Sequence, residues 1–464
     1  MKMTQLATAF LLSSSLVGCA AVVKTPYQAP AVEIPQQFAE QPKISGQQVI
    51  ADLHADQWWT LFKDPELNRL VEQVLSRNSD LAVAGINLRQ ARLQAGLAEN
   101  RQGVRVNSSV STGHNLELNS GEDRSRGLSL SGGVSYEVDL FGKLARQTEA
   151  ARWEALASEQ DLQATAQSLI ATTTNLYWQL GYLNERLTVS EQNLASTQRT
   201  YSLVQSQYRA GAVSGLELSQ AEQAVQSQRA SLSQIQQQRL ETRTALAVLM
   251  NQPVQQLQIN EPQRLPRIQL PSIQAGLPAQ LLSRRPDLAA AELRLRKVLA
   301  NKDATKASYY PSISLTGSLG TSSTSLTELL RNPALALGAS LNLPFLQYND
   351  MQKDVKISEL DYEKAIVQYR QTLYQGFADV ENALSNRAEL NKQVLLQEKN
   401  VSLAAKTEQL TQVRYNNGAI ALKNLIDAQE TTRNARLSLV QTKQSQYNAY
   451  VTLFQALGGS PIQN

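Results

Sequence analysis

Leu70-Val-Glu-Gln-Val-Leu-Ser-Arg-Asn-Ser-Asp-Leu-Ala-Val-Ala84 returns as Leu277-Pro-Ala-Gln-Leu-Leu-Ser-Arg-Arg-Pro-Asp-Leu-Ala-Ala-Ala291, an offset of 207 residues as the numbering runs from 70 to 277. The same offset, without a gap, sets Glu191 on Glu398, Asn193 on Asn400, Tyr208 on Tyr415, Gly211 on Gly418, Ala221 on Ala428, Arg229 on Arg436 and Leu232 on Leu439. Chance does not hold one register that long. A period of about 200 residues exceeds the roughly 20–50-residue units of solenoids. Each copy is therefore a substantial module, and the two are expected to form one pseudo-symmetric object.

No proline interrupts the chain between Pro65 and Pro253, or between Pro344 and Pro461. In the first of these stretches Leu169, Thr173, Leu176, Leu180, Leu183, Leu187, Leu194, Thr197, Tyr201, Val204 and Tyr208 fall at the three-four spacing of a coiled-coil seam. A second run, Leu218, Ala221, Val225, Leu232, Ile235, Leu246 and Leu249, has Gln228, Arg239 and Thr242 at the intervening places. Gly211 and Gly215 mark a turn between the runs, so two helices form an antiparallel hairpin. A helix from Lys143 to Arg209 would be about 100 Å long at 1.5 Å per residue. The second copy repeats it from about Asn349 to Tyr415, with its turn at Asn417-Gly418.

The strands are shorter. Leu128, Leu130, Gly132, Val134, Tyr136 and Val138 alternate with Ser129, Ser131, Gly133, Ser135, Glu137 and Asp139, an apolar face against a polar one. Ile313, Leu315, Gly317 and Leu319 alternate with Ser312, Ser314, Thr316 and Ser318, and Leu335, Leu337, Ala339, Leu341 and Leu343 alternate with small or polar partners. Val104, Val106, Ser108, Val110 and Thr112 make a weaker fourth strand. Strands are thus predicted over about 104–114 and 127–140, and over about 311–320 and 334–344. Each copy holds one β-hairpin, with turns near Leu116 to Arg126 and Thr321 to Asn332.

These runs match the roughly 9–11 residues of a tilted membrane strand, and their polar faces are almost entirely Ser, Thr, Gly and Asn, as in a water-filled lumen. The competing reading is a soluble, half-buried sheet. Hydrocarbon tolerates no open sheet edge, so four strands per chain require several chains to pool them. Two chains would close a filled eight-stranded barrel, whereas three would leave room for a channel.

Composition agrees with a helical chain of thin core: Gln, Ser and Ala are abundant, Phe numbers 7 and Trp 4. Outside the first 18 residues no apolar run approaches the roughly 18–20 needed for a membrane-spanning helix. Lys2, the apolar stretch Leu6 to Val17 and Leu16-Val-Gly-Cys19 read as an export signal. Cys19 is the only cysteine, so no intramolecular disulfide can form. The net charge of +4 is gathered into no Lys/Arg block, so nucleic acid is not implied as a partner. Only two histidines are present, His54 and His114, neither near a metal-like cluster, and no phosphate loop or nucleophile motif appears. Neither an enzyme nor a cofactor is expected. Four methionines, at 1, 3, 250 and 351, offer no soft relay for Cu(I).

The chain accordingly divides into a signal peptide (1–18), an N-terminal tether (19–64), a first repeat (65–250), a Pro-rich connector (251–276), a second repeat (277–457) and a C-terminal tail (458–464). The tether, with Pro26, Pro30, Pro35 and Pro42, suits an extended segment rather than a packed element.

Leu16-Val-Gly-Cys19 resembles the bacterial lipoprotein box, which would make Cys19 the acylated first mature residue, and Ala20 after it resembles an outer-membrane address. Trp58-Trp59, Phe62-Lys-Asp-Pro65, Tyr136-Glu-Val-Asp-Leu-Phe-Gly142, Leu282-Ser-Arg-Arg-Pro-Asp287, Tyr310-Pro-Ser-Ile313, Arg414-Tyr-Asn-Asn-Gly418, Leu425-Ile-Asp-Ala-Gln429 and Leu457-Gly-Gly459 follow in order. Together they resemble the TolC family of outer membrane factors, in its OprM-like, NodT-type lipoprotein branch, over nearly the whole mature chain.

The resemblance implies a mainly α fold with membrane β: a homotrimer whose twelve-stranded outer-membrane barrel continues as a tunnel of long periplasmic helices. Gly142 is expected to be the only residue between strand and long helix. The implied function is passive conduction of small toxic compounds or drugs, with a periplasmic adaptor and an inner-membrane efflux transporter as partners. The lipid anchor would be acylated Cys19. The helical hairpin tips, Gly211, Ala212, Gly418 and Ala419, would meet the adaptor.

In such relatives the helix beyond the second turn carries polar or acidic residues that close the periplasmic end. Here those places are Ile420, Asn424 and Asp427, spaced by four and three and so expected on one helix face. Tyr415 matches a tyrosine that holds the closed state in some relatives. Ile420 stands where relatives often carry an acid and Asn424 where some carry Asp, which leaves Asp427 the sole acid on that face, so a partly apolar constriction is expected. The alternative role for Asp427 is a hydrogen bond between helices. Two other functions remain open: a duct for type I-like protein secretion and a non-transporting coiled-coil envelope protein. The second does not account for four amphipathic strands arranged twice.

Overall fold

A computed structural model describes residues 23–39, 57–116, 123–266, 270, 284–323, 329, 331 and 333–459 of the 464. Cys19 and the signal, His54, the start of the second repeat at Leu277, the middles of both strand turns and residues 460–464 lie outside them. The first repeat runs through α1 (Pro65–Arg77), α2 (Ser79–Asn100), β1 (Arg105–Leu116), β2 (Asp123–Val138), α3 (Lys143–Arg209) and α4 (Gly215–Leu249). The second runs through α5 (Pro286–Ser308), β3 (Ser312–Ser323), β4 (Pro333–Asn342), α6 (Tyr348–Asn416) and α7 (Leu422–Ala456). Helix, β-hairpin and long helical hairpin thus occur twice, as expected from the repeat. No described helix is long and apolar enough to cross a membrane.

The chain divides into two compact units. One comprises Met1–Val32, Ile86–Gln160 and Ala289–Thr372, the other Glu33–Gly85, Asp161–Leu288 and Leu373–Asn464. The first unit holds a single antiparallel sheet in the order β1-β2-β3-β4, so the two hairpins join through β2 and β3 and leave β1 and β4 as edges. Its register aligns the apolar residues across all four strands. Val106 opposes Val134, which opposes Gly317, which opposes Leu337. The other face carries hydroxyls, with Ser109 bonded to Ser131 at 2.8 Å and Ser111 to Ser129 at 2.7 Å. The apolar face is bare: Val106, Leu319 and Leu337 are 79%, 59% and 81% exposed.

Four residues, Asp139 to Gly142, separate β2 from α3, where a single glycine was expected. The strand ends early because the Asp139 carboxylate turns back to cap the helix, accepting from Leu144 N at 3.1 Å and Ala145 N at 2.7 Å. Gly142 adopts φ +76°, the left-handed turn that a Cβ would strain.

Residues 23–39 of the tether form no helix or strand and are mostly exposed, but they are pinned at several points. Val23 and Phe38 are buried. Thr25 donates from its backbone N and its Oγ1 to the Asp303 carboxylate, both at 2.7 Å, and the Tyr27 ring lies 4.3 Å beneath the Arg296 guanidinium. Farther along, Trp58 stacks on Phe454 at 5.1 Å, and Phe62 meets Trp178 edge-on at 5.6 Å in the core of the second unit. Gly458 and Gly459, assigned to the tail from sequence, are buried here too: a Cβ on Gly459 would stand 2.8 Å from the Trp58 ring.

The repeat is visible in single contacts. Asn78 Nδ2 donates to the Leu249 carbonyl at 2.9 Å, and Arg285, one repeat later, reaches the carbonyl of Ala456, one repeat after Leu249. The same position in each copy, just before α2 and just before α5, thus ties the start of that helix to the C-terminal end of the copy's helical hairpin.

Candidate functional site

The expected tip and gate residues lie where the two helical hairpins turn, all within the second unit. In the first hairpin α3 ends at Arg209, Gly211 reverses the chain at φ +71°, and Ser214 begins α4. Gly418 repeats that reversal at φ +71° between α6 and α7. Gly211, Ala212, Gly418 and Ala419 are all exposed at the tips.

The two hairpins of one chain pack on each other just behind these turns. Val204, Ala221, Leu422 and Leu425 form a buried cluster, with Tyr201, Val213, Leu218, Tyr415 and Ile426 packed around it. Tyr415 Oη donates to Gln207 Oε1 at 3.1 Å, a polar link between the second hairpin and the first. Gln207 carried no signal in the sequence.

Ile420 departs from expectation. It lies two residues before α7, in the bend after Gly418, and is half-buried. A spacing of four and three puts residues on one face only inside a helix, and the left-handed glycine consumes Ala419 to Ala421 before the helix starts. Asn424 and Asp427 are on α7 and exposed. Asp427 pairs with Lys423 at 2.7 Å, a solvent-facing bridge of the kind that contributes about 0–1 kcal/mol.

The tips differ in one respect that the repeat makes plain. Ser214 and Glu217 form a reciprocal capping box on α4. The hydrogen bond from the Ser214 hydroxyl is the main cause that holds the Glu217 carboxyl below its usual range, so the box persists at neutral pH and is lost as pH falls through that lowered value. One repeat later the same places hold Ala421 and Asn424, and α7 has no side-chain cap. Grafting the box by Ala421→Ser with Asn424→Glu is expected to slow amide exchange in the first turn of α7 about fivefold, or about 1 kcal/mol. Unchanged exchange there would show that the missing cap does not loosen this tip.

Among the described residues no group of three or more His, Cys, Asp or Glu is placed to hold a metal ion.

Residues 70–252 and 277–459 match the family described as outer membrane efflux protein, one match for each copy of the repeat. The pyoverdine export outer membrane protein OpmQ of Pseudomonas putida is 30% identical, over 97% of this chain and 96% of its own length. The cation efflux system protein CusC of Escherichia coli K12 is 28% identical, over 97% of this chain and 98% of its own. The solved structure of the outer-membrane channel OprN superposes with a TM-score of 0.83 at 26% identity, covering 94% of this chain and 99% of that one. Both repeats therefore carry the family's pattern on the fold of a known channel, and the chain belongs to the outer membrane efflux proteins, a family of channels rather than enzymes.

Proposed function

We propose that three copies of this chain close one twelve-stranded barrel in the outer membrane and form the exit duct of a tripartite efflux system. A periplasmic adaptor and an inner-membrane transporter deliver small toxic compounds or drugs to it, and conduction through it is passive. The carrying observation is the four-stranded sheet, apolar on one face, hydroxyl-lined on the other and open at β1 and β4. Hydrocarbon tolerates neither edge, and a third copy opens a lumen that two would fill.

Helices next to both edges support pairing between copies. Helix α2, leading into β1, leaves Ile86, Leu93 and Leu97 57–70% exposed, and α6, following β4, leaves Ile357, Leu360 and Val367 50–62% exposed. Each set follows a helical stripe, as a face awaiting a partner does. Mass measurement of the detergent-solubilised protein is expected to give three chains per particle. A stable monomer retaining its full strand content would overturn the shared barrel.

In this reading Gly211, Ala212, Gly418 and Ala419 meet the adaptor, and Tyr415, Ile420, Asn424 and Asp427 form the periplasmic gate. Similarity at 28–30% to proteins named for pyoverdine export and for cation efflux favours cargo selection by the transporter rather than the duct. Crosslinking in cells followed by purification identifies the adaptor and transporter, and recovery of a secreted protein's translocator instead would favour the protein-secretion alternative.

The lipid anchor is part of the proposal. Cys19 follows Leu-Val-Gly and is the sole cysteine of the sequence. Cys19→Ser is expected to retain the uncleaved precursor and abolish labelling by a fatty-acid probe, while the barrel preserves some membrane association. Persisting label would remove the anchor.

A further inference from the structure

Above the hairpin tips, helices α3, α4, α6 and α7 leave a polar cavity of about 290 Å³ between them. Thr197 and Gln228, at seam positions where apolar contact would continue the coiled coil, face this space instead. A cavity needs only roughly 10–15 Å³ to admit one water, so this one is solvated. Its charges are uneven. Arg199 of α3 and Arg433 and Arg436 of α7 line it, against Glu408 of α6 and Glu430 of α7.

Glu430 is committed to Arg433 at 3.0 Å. Arg199 and Arg436 have no ion pair or hydrogen bond among the described residues, and Glu408 lies beyond ion-pair distance of both. One amide adds to the donors. The Gln228 side chain, 5% exposed and lining the cavity, makes no hydrogen bond to the described residues, which leaves two N–H donors and one oxygen acceptor there. Unpartnered buried donors are costly, and water, which donates as well as accepts, matches such a set less well than a group that only accepts. Planar guanidinium forks favour oxyanions, which accept two parallel hydrogen bonds.

We propose that this cavity binds one small oxyanion, phosphate or a small carboxylate, held by Arg199 and Arg436 with the Gln228 amide. The bound anion ties α3 and α4 of the first repeat to α7 of the second, at Arg436, about two and a half turns beyond Asp427. Glu408 limits the site to a single net positive charge and weakens the anion's hold.

The test is isothermal titration of the detergent-solubilised full chain with sodium phosphate and, separately, sodium acetate, at ionic strength held constant with chloride. Saturable binding of either at one site per chain is expected, and the two titrations distinguish a tetrahedral from a planar ligand. Arg199→Gln, at an exposed helix position, is expected to weaken binding at least tenfold. Glu408→Gln is expected to tighten it severalfold, a direction that simple loss of structure does not produce. Arg89→Gln, an exposed arginine elsewhere on the chain, leaves it unchanged. Absence of saturable binding by either anion, or equal affinity in wild type, Arg199→Gln and Glu408→Gln, or equal loss in Arg89→Gln, overturns the proposal.

Discussion

Leu130→Arg is expected to stop the chain from assembling in the outer membrane. Leu130 sits at the middle of β2, opposite Val110 on β1 and Thr321 on β3, on the face that carries Val106, Val134, Leu319 and Leu337. A cation facing mid-bilayer lipid costs roughly 2–4 kcal/mol in a barrel, falling to about 0–1 near the interface. Three copies in one barrel would multiply that to about 6–12 kcal/mol, as large as the whole stability of many domains.

Leu341→Arg should do much less, because Leu341 is one residue from the end of β4 and pairs with Ile313 at the start of β3. Ser131→Arg, on the opposite face, loses only the hydroxyl contact with Ser109 and should assemble. The measurement is the amount of heat-resistant oligomer recovered from outer-membrane fractions. Normal assembly of Leu130→Arg, or failure of Ser131→Arg to the same degree, would mean that the faces are assigned the wrong way round.

The same residues show what was legible in the sequence. Alternation at period two located all four strands because nothing else competes for that pattern, and the register then falls into place. A slip of one residue at Val134 against Gly317 would exchange apolar and hydroxyl faces. The ends of α3 were legible because Gly142 and Gly211 both take positive φ.

What was missed depends on single side chains rather than on periods. Asp139 caps a helix from across a four-residue link, Thr25 binds Asp303 from 278 residues away, and neither leaves a repeating trace. Ile420 was misplaced because spacing says which residues share a face only once the start of the helix is known. Trp178 and Ile170 are buried beside the expected seam of Leu169, Thr173, Leu180 and Leu183, so α3 is covered on more than one face there, which a two-position seam cannot describe.

The second large effect is expected at the tips. Tyr415→Phe removes the hydroxyl that reaches Gln207, while the ring stays against the cluster of Val204, Ala221, Leu422 and Leu425. Asp427→Ala removes the partner of Lys423 and the only acid among the four gate candidates. Within one chain these are modest losses, about 1 kcal/mol for the hydrogen bond and less for the exposed bridge. A trimer loses three of each, at the tip whose helix already lacks a side-chain cap.

If closure of the periplasmic end rests on these links, the balance shifts toward the open state, and the double variant in a planar bilayer should conduct severalfold more than wild type. Cells carrying it should become sensitive to large antibiotics such as vancomycin. If Tyr415 and Asp427 only join helices within the chain, the double variant should lower thermal stability or trimer yield with no gain in conductance. A well-folded trimer of unchanged conductance would exclude both residues from the gate. Closure would then fall to Ile420 and Asn424, of which Ile420, half-buried in the bend, offers apolar contact without a polar link.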